Sequence, residues 1–254
     1  MDRGSYEGSL GNFRGGGRDF FTKVFPPCNT TELVRNVIQP SVAPPTQLAS
    51  DTRTKNPFVV LSIGQFRPEK DHSLQLRAFA AFLKLRPVFR KTVKLVLLGG
   101  ARHAQDDKLV SELKKEAHEL GITDAVEFIV NAPFPQVQSM LASATIGIHT
   151  MWNEHFGISI VEMMAAGLVV VAHNSGGPKM DIVTPAAPAS HAVGYLAAST
   201  DEYAQCLADA LDMSDAAFQE MRQRARAAVS TRFSDEAFSA GILKVMGELT
   251  GAPV

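Results

Sequence analysis

FVVLSIGQFRPEKDHSLQLRAFAAFLKL, residues 58–85, is the stretch on which the fold turns. It opens with a short apolar run rich in valine and isoleucine that ends at Gly64. Beyond the glycine the period changes: Leu74, Ala78, Ala81, Phe82 and Leu85 recur at the three- and four-residue spacing of one helix face. The same unit repeats outward. VKLVLLGG (93–100) reads as a second strand, followed by a helix with Leu109, Leu113, Ala117 and Leu120 on one face that stops at Gly121. VEFIV (126–130), a helix through Val137–Leu141, TIGIHT (145–150), a helix from about Phe156 to Ala166, and LVVVA (168–172) continue the alternation. From Asp201 the chain reads as mostly helical. Strands that are apolar on both sides need covering on both faces, so the class is α/β: a doubly wound parallel sheet with C-terminal helices.

Composition agrees with a globular domain. The 254 residues are 45% hydrophobic and 20% charged, with a formal net charge of -1 that supplies no basic field for coating nucleic acid. Cys28 and Cys206 are the only cysteines, which excludes a disulfide scaffold and a cysteine-built zinc site. The opening MDRGSYEGSL has no apolar run of the secretory kind. Two charge-free stretches, 128–153 and 182–200, are broken by prolines and polar residues, whereas a membrane span needs about 20 predominantly apolar ones. The chain therefore reads as soluble. Residues 1–23, glycine-rich with Arg3, Arg14 and Arg18, read as a disordered tail rather than an RNA-binding arm. Residues 24–57 hold six prolines around one possible helix near Thr31–Ile38 and read as a connector, which leaves 58–249 as the globular domain. The helices of about 215–249 are expected to carry apolar surface for a partner.

In such a sheet, ligands bind at the carboxyl ends of the strands. The first strand ends in Gly64-Gln65-Phe66-Arg67-Pro68-Glu69-Lys70, with neither a G-x-G-x-x-G fingerprint nor a P-loop. Arg67 and Lys70 beside the flexible Gly64 are either two cations for a diphosphate or solvated loop charges. Glu154 and Glu162 stand eight residues apart, the first before a helix and the second inside it. From Phe156 to Gly167 the only polar side chains are Ser159 and Glu162, so the helix is expected to be buried and its glutamate costly unless paired. On a continuous helix the two carboxylates would lie ~12 Å apart, about the reach from the sugar to the ribose of a sugar–diphosphate–nucleoside. The N–H groups of Phe156, Gly157 and Ile158 would then face the phosphates; a glutamate bonded to local backbone is the plainer alternative. Gly176 and Gly177, after LVVVA, permit close approach of backbone to a ligand or form a plain turn; Gly99-Gly100 reads likewise, more weakly. No Asp-x-Asp occurs, and the histidines at 72, 103, 118, 149, 155, 173 and 191 show no H-x-x-x-H spacing and read as packed or surface residues. No metal or other cofactor is expected. Arg67, Lys70 and the helix dipole would stabilise a departing nucleoside diphosphate.

G-x-x-R-P-E-K at 64–70, E-x₇-E at 154–162 and the following Gly176-Gly177 resemble the donor-binding domain of retaining glycosyltransferases with the GT-B fold. VFPPC (24–28), SIGQFRPEKDH (62–72), LLGGARH (97–103), TIGIHTMWNEHFGI (145–158) and AHNSGGPKMDIV (172–183) resemble, within that class, the endoplasmic reticulum mannosyltransferases that add α-1,2-linked mannose to the dolichol-linked oligosaccharide. The resemblance covers about residues 24–247. It implies a Rossmann-like nucleotide-sugar domain, with Arg67 and Lys70 holding the diphosphate of GDP-mannose, Glu154 on the mannose hydroxyls and Glu162 on the ribose. The Gly157 and Ile158 backbone would lie near sugar and phosphate, with Gly64, Phe156, Gly176 and Gly177 completing the donor site. The implied reaction is mannosyl transfer with retention in N-glycan precursor assembly, on the cytosolic face of the endoplasmic reticulum membrane. Its partners are the nucleotide-sugar donor and a lipid-linked oligosaccharide acceptor, with no nucleic acid. Members of that family also carry a membrane anchor and an N-terminal acceptor domain, for which this sequence has no counterpart. The chain then reads as a donor half that works with a separate acceptor domain or subunit, or as a non-catalytic nucleotide-sugar-binding fragment.

Overall fold

The computed structural model describes Phe25, Cys28, residues 58–183 and residues 192–250. Six strands follow one another as β1 (Phe58–Ile63), β2 (Val93–Gly99), β3 (Val126–Val130), β4 (Ile146–Ile148), β5 (Val169–His173) and β6 (Tyr195–Ala197). They form one sheet in the order β3-β2-β1-β4-β5-β6, with every adjacent pair parallel. Helices α1 (His72–Leu85), α2 (Ala104–Glu119), α3 (Phe134–Ser143) and α4 (Ile158–Ala166) follow the first four strands. Then α5 (Thr200–Asp212), α6 (Asp215–Arg232) and α7 (Asp235–Thr250) close the chain. The strand order reverses direction between β1 and β4, and the crevice outside the carboxyl ends there is the place for a ligand.

Successive side chains of a strand point to opposite faces, and here both faces are apolar. Val60 of β1, Leu95 and Leu97 of β2, and Val169 and Val171 of β5 join one cluster with Leu76, Phe79, Phe82, Tyr203 and Leu207. Their neighbours Leu61, Val96, Leu98, Val170 and Ala172 join a second with Ile160, Val161, Met163, Val229 and Phe233. The first cluster lies under α1, α2 and α5, the second under α4 and α6. Doubly wound α/β is thus the observed class.

Differences from the sequence reading are local. Helix α1 is buried more widely than one periodic face suggests, because α5 packs on its far side, while Leu85 at its end is 42% exposed. Helix α4 begins at Ile158 rather than near Phe156, since Gly157 has φ 108°, outside the helical range. The ~12 Å separation expected for a continuous helix from Glu154 therefore does not apply to the segment before Ile158. Strand β6 was not read from sequence: it is three residues long, and its pairing with Val171–His173 makes it a strand. Residues 1–23 and most of 24–57, including Thr31–Ile38, lie outside the described residues. Phe25 and Cys28 pack into the second cluster, where the Cys28 N–H donates to the Phe233 carbonyl at 3.1 Å.

At the C-terminal end of α4 the last carbonyls are taken by arginines of α6. Arg226 Nη2 donates to the Ala166 carbonyl at 2.7 Å and its Nε to that of Ala165 at 3.3 Å, while Arg222 Nε donates to Gly167. These charged donors satisfy groups that a helix end leaves unpaired. Of the helices in 215–249, α7 exposes Ile242, Leu243, Met246 and Leu249, whereas α6 buries Met221, Ala225 and Val229. Among the described residues no helix is long and apolar enough to cross a membrane. Replacing Arg226 by Leu should cost about 1.5–3 kcal/mol, the range for hydrogen bonds from a charged donor. Urea melts of the two proteins measure this; equal midpoints would show that water replaces the guanidinium without loss.

Candidate functional site

Three strand-end loops are stitched together by backbone contacts. The Gly64 N–H donates to Leu98 O at 3.1 Å, Phe66 N–H to Gly100 O at 2.9 Å, and Asn131 N–H to Gly99 O at 2.9 Å. Gly99 has no room for a side chain, since a Cβ there would sit 1.8 Å from the Gly64 carbonyl oxygen. The Asn131 amide locks the β2 and β3 loops: its Oδ1 accepts from Ala101 N and its Nδ2 donates to Ala101 O, both at 2.9 Å. On the other side, Thr150 Oγ1 lies 2.8 Å from the Lys70 carbonyl and 3.0 Å from that of Asp71, and accepts from Gln75 Nε2 at 2.9 Å. The β1 and β4 loops are thereby held edge to edge at the switch point.

They enclose a cavity of about 980 Å³, within the usual range for small-molecule sites. Its lining comes from Lys70 and Glu154 of the β1 and β4 loops, from Gly100, Arg102, Asn131, Ala132 and Val137 at the β2 and β3 ends and in α3, and from Gly157, Ile158, Ser159 and Glu162 along the wall at the start of α4. Lys70 Nζ donates to Glu154 Oε2 at 2.7 Å and also approaches Met151 Sδ at 3.2 Å. His149 Nε2 stands 3.6 Å from the same Glu154 oxygen, an electrostatic contact too long for a hydrogen bond. The His149 imidazole first, and then the Lys70 ammonium, outweigh burial and hold the Glu154 carboxyl down at about 2. Helix α4 has no side-chain cap at its N-terminus. The Ile158 and Ser159 amides and the positive dipole end of the helix thus lie at the cavity wall, while the Ile160 N–H donates to Gly157 O at 3.0 Å.

Glu162, one turn inside α4, is half-buried on that wall, and no described side chain or backbone group bonds to it. Burial pushes its carboxyl above the ordinary carboxylate value. The structure therefore gathers Gly64, Lys70, Glu154, Phe156, Gly157, Ile158 and Glu162 around one cavity. Phe156 also anchors the wall from behind, 6.0 Å from the Phe25 ring and 5.4 Å from that of Phe233. Arg67 lies on the rim of the same loop; its side chain does not line the cavity and forms no ion pair among the described residues. Gly176 and Gly177 stand one layer behind. Gly177 N–H donates to Glu154 O at 2.8 Å, and a Cβ on Gly177 would meet the His155 and Phe156 carbonyl oxygens at 2.5 and 2.6 Å. Their close approach is to the Glu154–Phe156 backbone, which they support. Sequence reading passed over Arg102 and Asn131, and took His149 as a packed or surface residue. The first two follow strand ends, a position that ligand sites in such sheets favour, but their neighbours carry no recognisable spacing. Among the described residues no group of three or more His, Cys, Asp and Glu side chains converges as a metal set.

Fold and cavity together define the class: a doubly wound α/β domain whose ligand cavity lies at the switch point. A family model described as "Glycosyl transferases group 1" matches residues 45–231, and the chain belongs to that glycosyltransferase family. A Xenopus laevis relative named "GDP-Man:Man(3)GlcNAc(2)-PP-Dol alpha-1,2-mannosyltransferase" is 47% identical over 221 residues, which are 87% of this chain and 42% of the relative. A Homo sapiens relative of the same name is 43% identical over 227 residues, 89% of this chain and 43% of its own length. The chain thus spans about two-fifths of the length of these curated relatives. Among solved structures, an α,α-trehalose-phosphate synthase (UDP-forming) from Burkholderia xenovorans, in complex with glucose-6-phosphate, aligns with a TM-score of 0.70 at 15% identity. That alignment covers 89% of this chain and 51% of the other. Anabaena HepE in complex with UDP and glucose aligns at 0.62 with 24% identity, covering 76% and 48%. These likenesses establish the fold, the Rossmann-like half of a GT-B glycosyltransferase.

Two substitutions probe the site without any ligand. Gly177→Ala should lose about 1–3 kcal/mol of stability, because the added carbon collides with backbone rather than with a movable side chain; calorimetric melting would show it, and an unchanged midpoint would mean the loop yields freely. Glu162→Gln should melt at a higher temperature than wild type at pH 7. A carboxyl whose folded pKa is raised opposes folding when ionised, so the gap should close as pH falls through that raised value. A variant less stable than wild type at pH 7 would mean that the carboxylate has a favourable partner.

Proposed function

We propose that the cavity binds a nucleotide-sugar donor, GDP-mannose, and that the chain is the donor-binding half of a retaining α-1,2-mannosyltransferase acting on a dolichol-linked oligosaccharide. The observation that carries this reading is the Glu162 carboxylate, half-buried on the cavity wall with no hydrogen-bond or ion-pair partner among the described residues. Such a group suits a ligand that brings hydroxyl donors, and the ribose of a nucleotide does so. Around it the remaining chemistry falls into order. The diphosphate lies against the N-terminus of α4, its charge met by Lys70 and, from the loop rim, Arg67. The Glu154 end receives the mannose hydroxyls, and the Arg102–Val137 end receives the base. In the transfer, the bond from mannose C1 to the diphosphate oxygen breaks as the bond from C1 to the acceptor hydroxyl oxygen forms on the same face. The acceptor's proton passes to the departing phosphate oxygen, so this half supplies no protein base. Fixed cations and the helix terminus stabilise the charge that develops on GDP, and the reading calls for no metal.

The acceptor is taken from the names of the relatives; the endoplasmic reticulum membrane, on its cytosolic face, is the location proposed with it. Acceptor binding is assigned to an additional N-terminal domain or a separate subunit. A second reading is a binding module that holds donor and transfers nothing by itself. Transfer of radiolabelled mannose to a short lipid-linked acceptor separates the two. Titration calorimetry tests the site itself: saturable binding of GDP-mannose, weaker binding of UDP-glucose, and a loss of about 1.5–3 kcal/mol in Glu162→Ala are expected. Unchanged affinity in the folded variant would remove Glu162 from the site.

A further inference from the structure

Beneath the Lys70–Glu154 pair lies a side chain that the reaction scheme leaves unused. His149 follows directly on β4, at the switch point, and its side chain is only 5% exposed. Its backbone is pinned on both sides: the N–H donates to Val171 O at 3.0 Å, and the carbonyl accepts from Tyr203 Oη at 2.8 Å. Yet neither ring nitrogen has a hydrogen-bond partner among the described residues. Buried polar atoms left this way are uncommon in folded proteins and call for an explanation. Nε2 points the way to one, standing 3.6 Å from the Glu154 oxygen that Lys70 already holds at 2.7 Å. Two donors thus compete for one carboxylate oxygen. One is a flexible ammonium at the cavity surface, and the other is a ring fixed below it.

We infer that His149 is the positioning residue of Glu154, taking over its carboxylate when the donor's diphosphate draws Lys70 away. This rests on the reading that the cavity holds a nucleotide sugar. In the ligand-free protein Lys70 satisfies Glu154. A diphosphate in the cavity offers the ammonium a stronger anion, and Glu154 is left half-buried without its partner. A small shift then closes the gap to Nε2–H, and the carboxylate is held for the sugar hydroxyls by a group that never touches the donor. The exchange makes the sugar end of the site organise only once the phosphate end is filled.

Titration of the chain with GDP and with GDP-mannose tests this. Wild type should bind GDP-mannose more tightly than GDP, the difference being the sugar's share. His149→Leu, similar in bulk but without a donor, should keep GDP affinity and lose about tenfold for GDP-mannose, as expected when a charge-assisted hydrogen bond is removed. His149→Gln, whose amide nitrogen reaches about as far as Nε2, should restore it. His149→Asn, whose amide ends at the Nδ1 position, should not, and this polar pair keeps the comparison available where the Leu variant does not fold. Thermal melting confirms which variants are folded. The inference is overturned if folded His149→Leu binds GDP-mannose as wild type does. It is equally overturned if that variant loses GDP and GDP-mannose in the same proportion, or if Gln and Asn behave alike. A folded wild type that binds no GDP would instead remove the nucleotide-sugar reading on which it rests.

Discussion

Both faces of this sheet are sealed by apolar side chains, and that constraint governs where everything else can go. An unpaired charge cannot stand among Val60, Leu95, Val170 and their neighbours, which are all but inaccessible to solvent. Polar chemistry is therefore displaced to the strand ends. Five of the buried polar side chains follow this pattern: His149 and Thr150 beyond β4, His173 at the end of β5, and His72 and Gln75 at the entry to α1. Because all six strands are parallel, their carboxyl ends lie along one edge, and the loops that leave them meet there. The reversal of strand order between β1 and β4 opens the crevice into which Lys70 and Glu154 project from opposite sides.

Rigidity at that edge comes from close backbone approach rather than from side-chain bulk. Gly99 lets the β2 end touch the Gly64 carbonyl, and Gly176 and Gly177 let the β5 loop support the backbone that carries Glu154. Ser175 Oγ extends this support, accepting from the Asn153 N–H at 2.8 Å while lying 2.8 Å from His173 Nδ1. The backbone that carries the groups assigned to the donor is consequently held before a ligand arrives. Pre-organisation of this kind is what allows fixed charges to favour a transition state without rearrangement. Lys70 and Glu154 meanwhile satisfy each other, a pair that the proposed diphosphate would have to part.

The site was legible in proportion to how far local spacing carries its chemistry. Glu162 announces itself because a carboxylate inside an apolar helix is conspicuous, Glu154 stands out eight residues before it, and both line the cavity. Gly176 and Gly177 were conspicuous too, but whether close-packed glycines face a ligand or a neighbouring loop depends on which segment lies across from them. Arg67 and Lys70 are near neighbours in sequence, yet the short turn at Pro68–Lys70 sends only Lys70 into the cavity. Arg102 was passed over and His149 was read as a packed or surface residue, because a lone basic residue after a strand has many ordinary explanations.

By itself the sequence determined the alternation of strands and helices, the double burial of the sheet and the presence of carboxylates and cations at its ligand edge. These are properties of periodicity and transfer energy, which act within a dozen residues. Only the tertiary structure decided the strand order, the three-residue β6, the start of α4 at Ile158 and the meeting of Lys70, His149 and Glu154 on a single oxygen. Lys70 and Glu154 are 84 positions apart, and nothing local to either residue encodes their distance. It follows from the register of β1 against β4 and from the loops tied across them, which exist only once the sheet has closed.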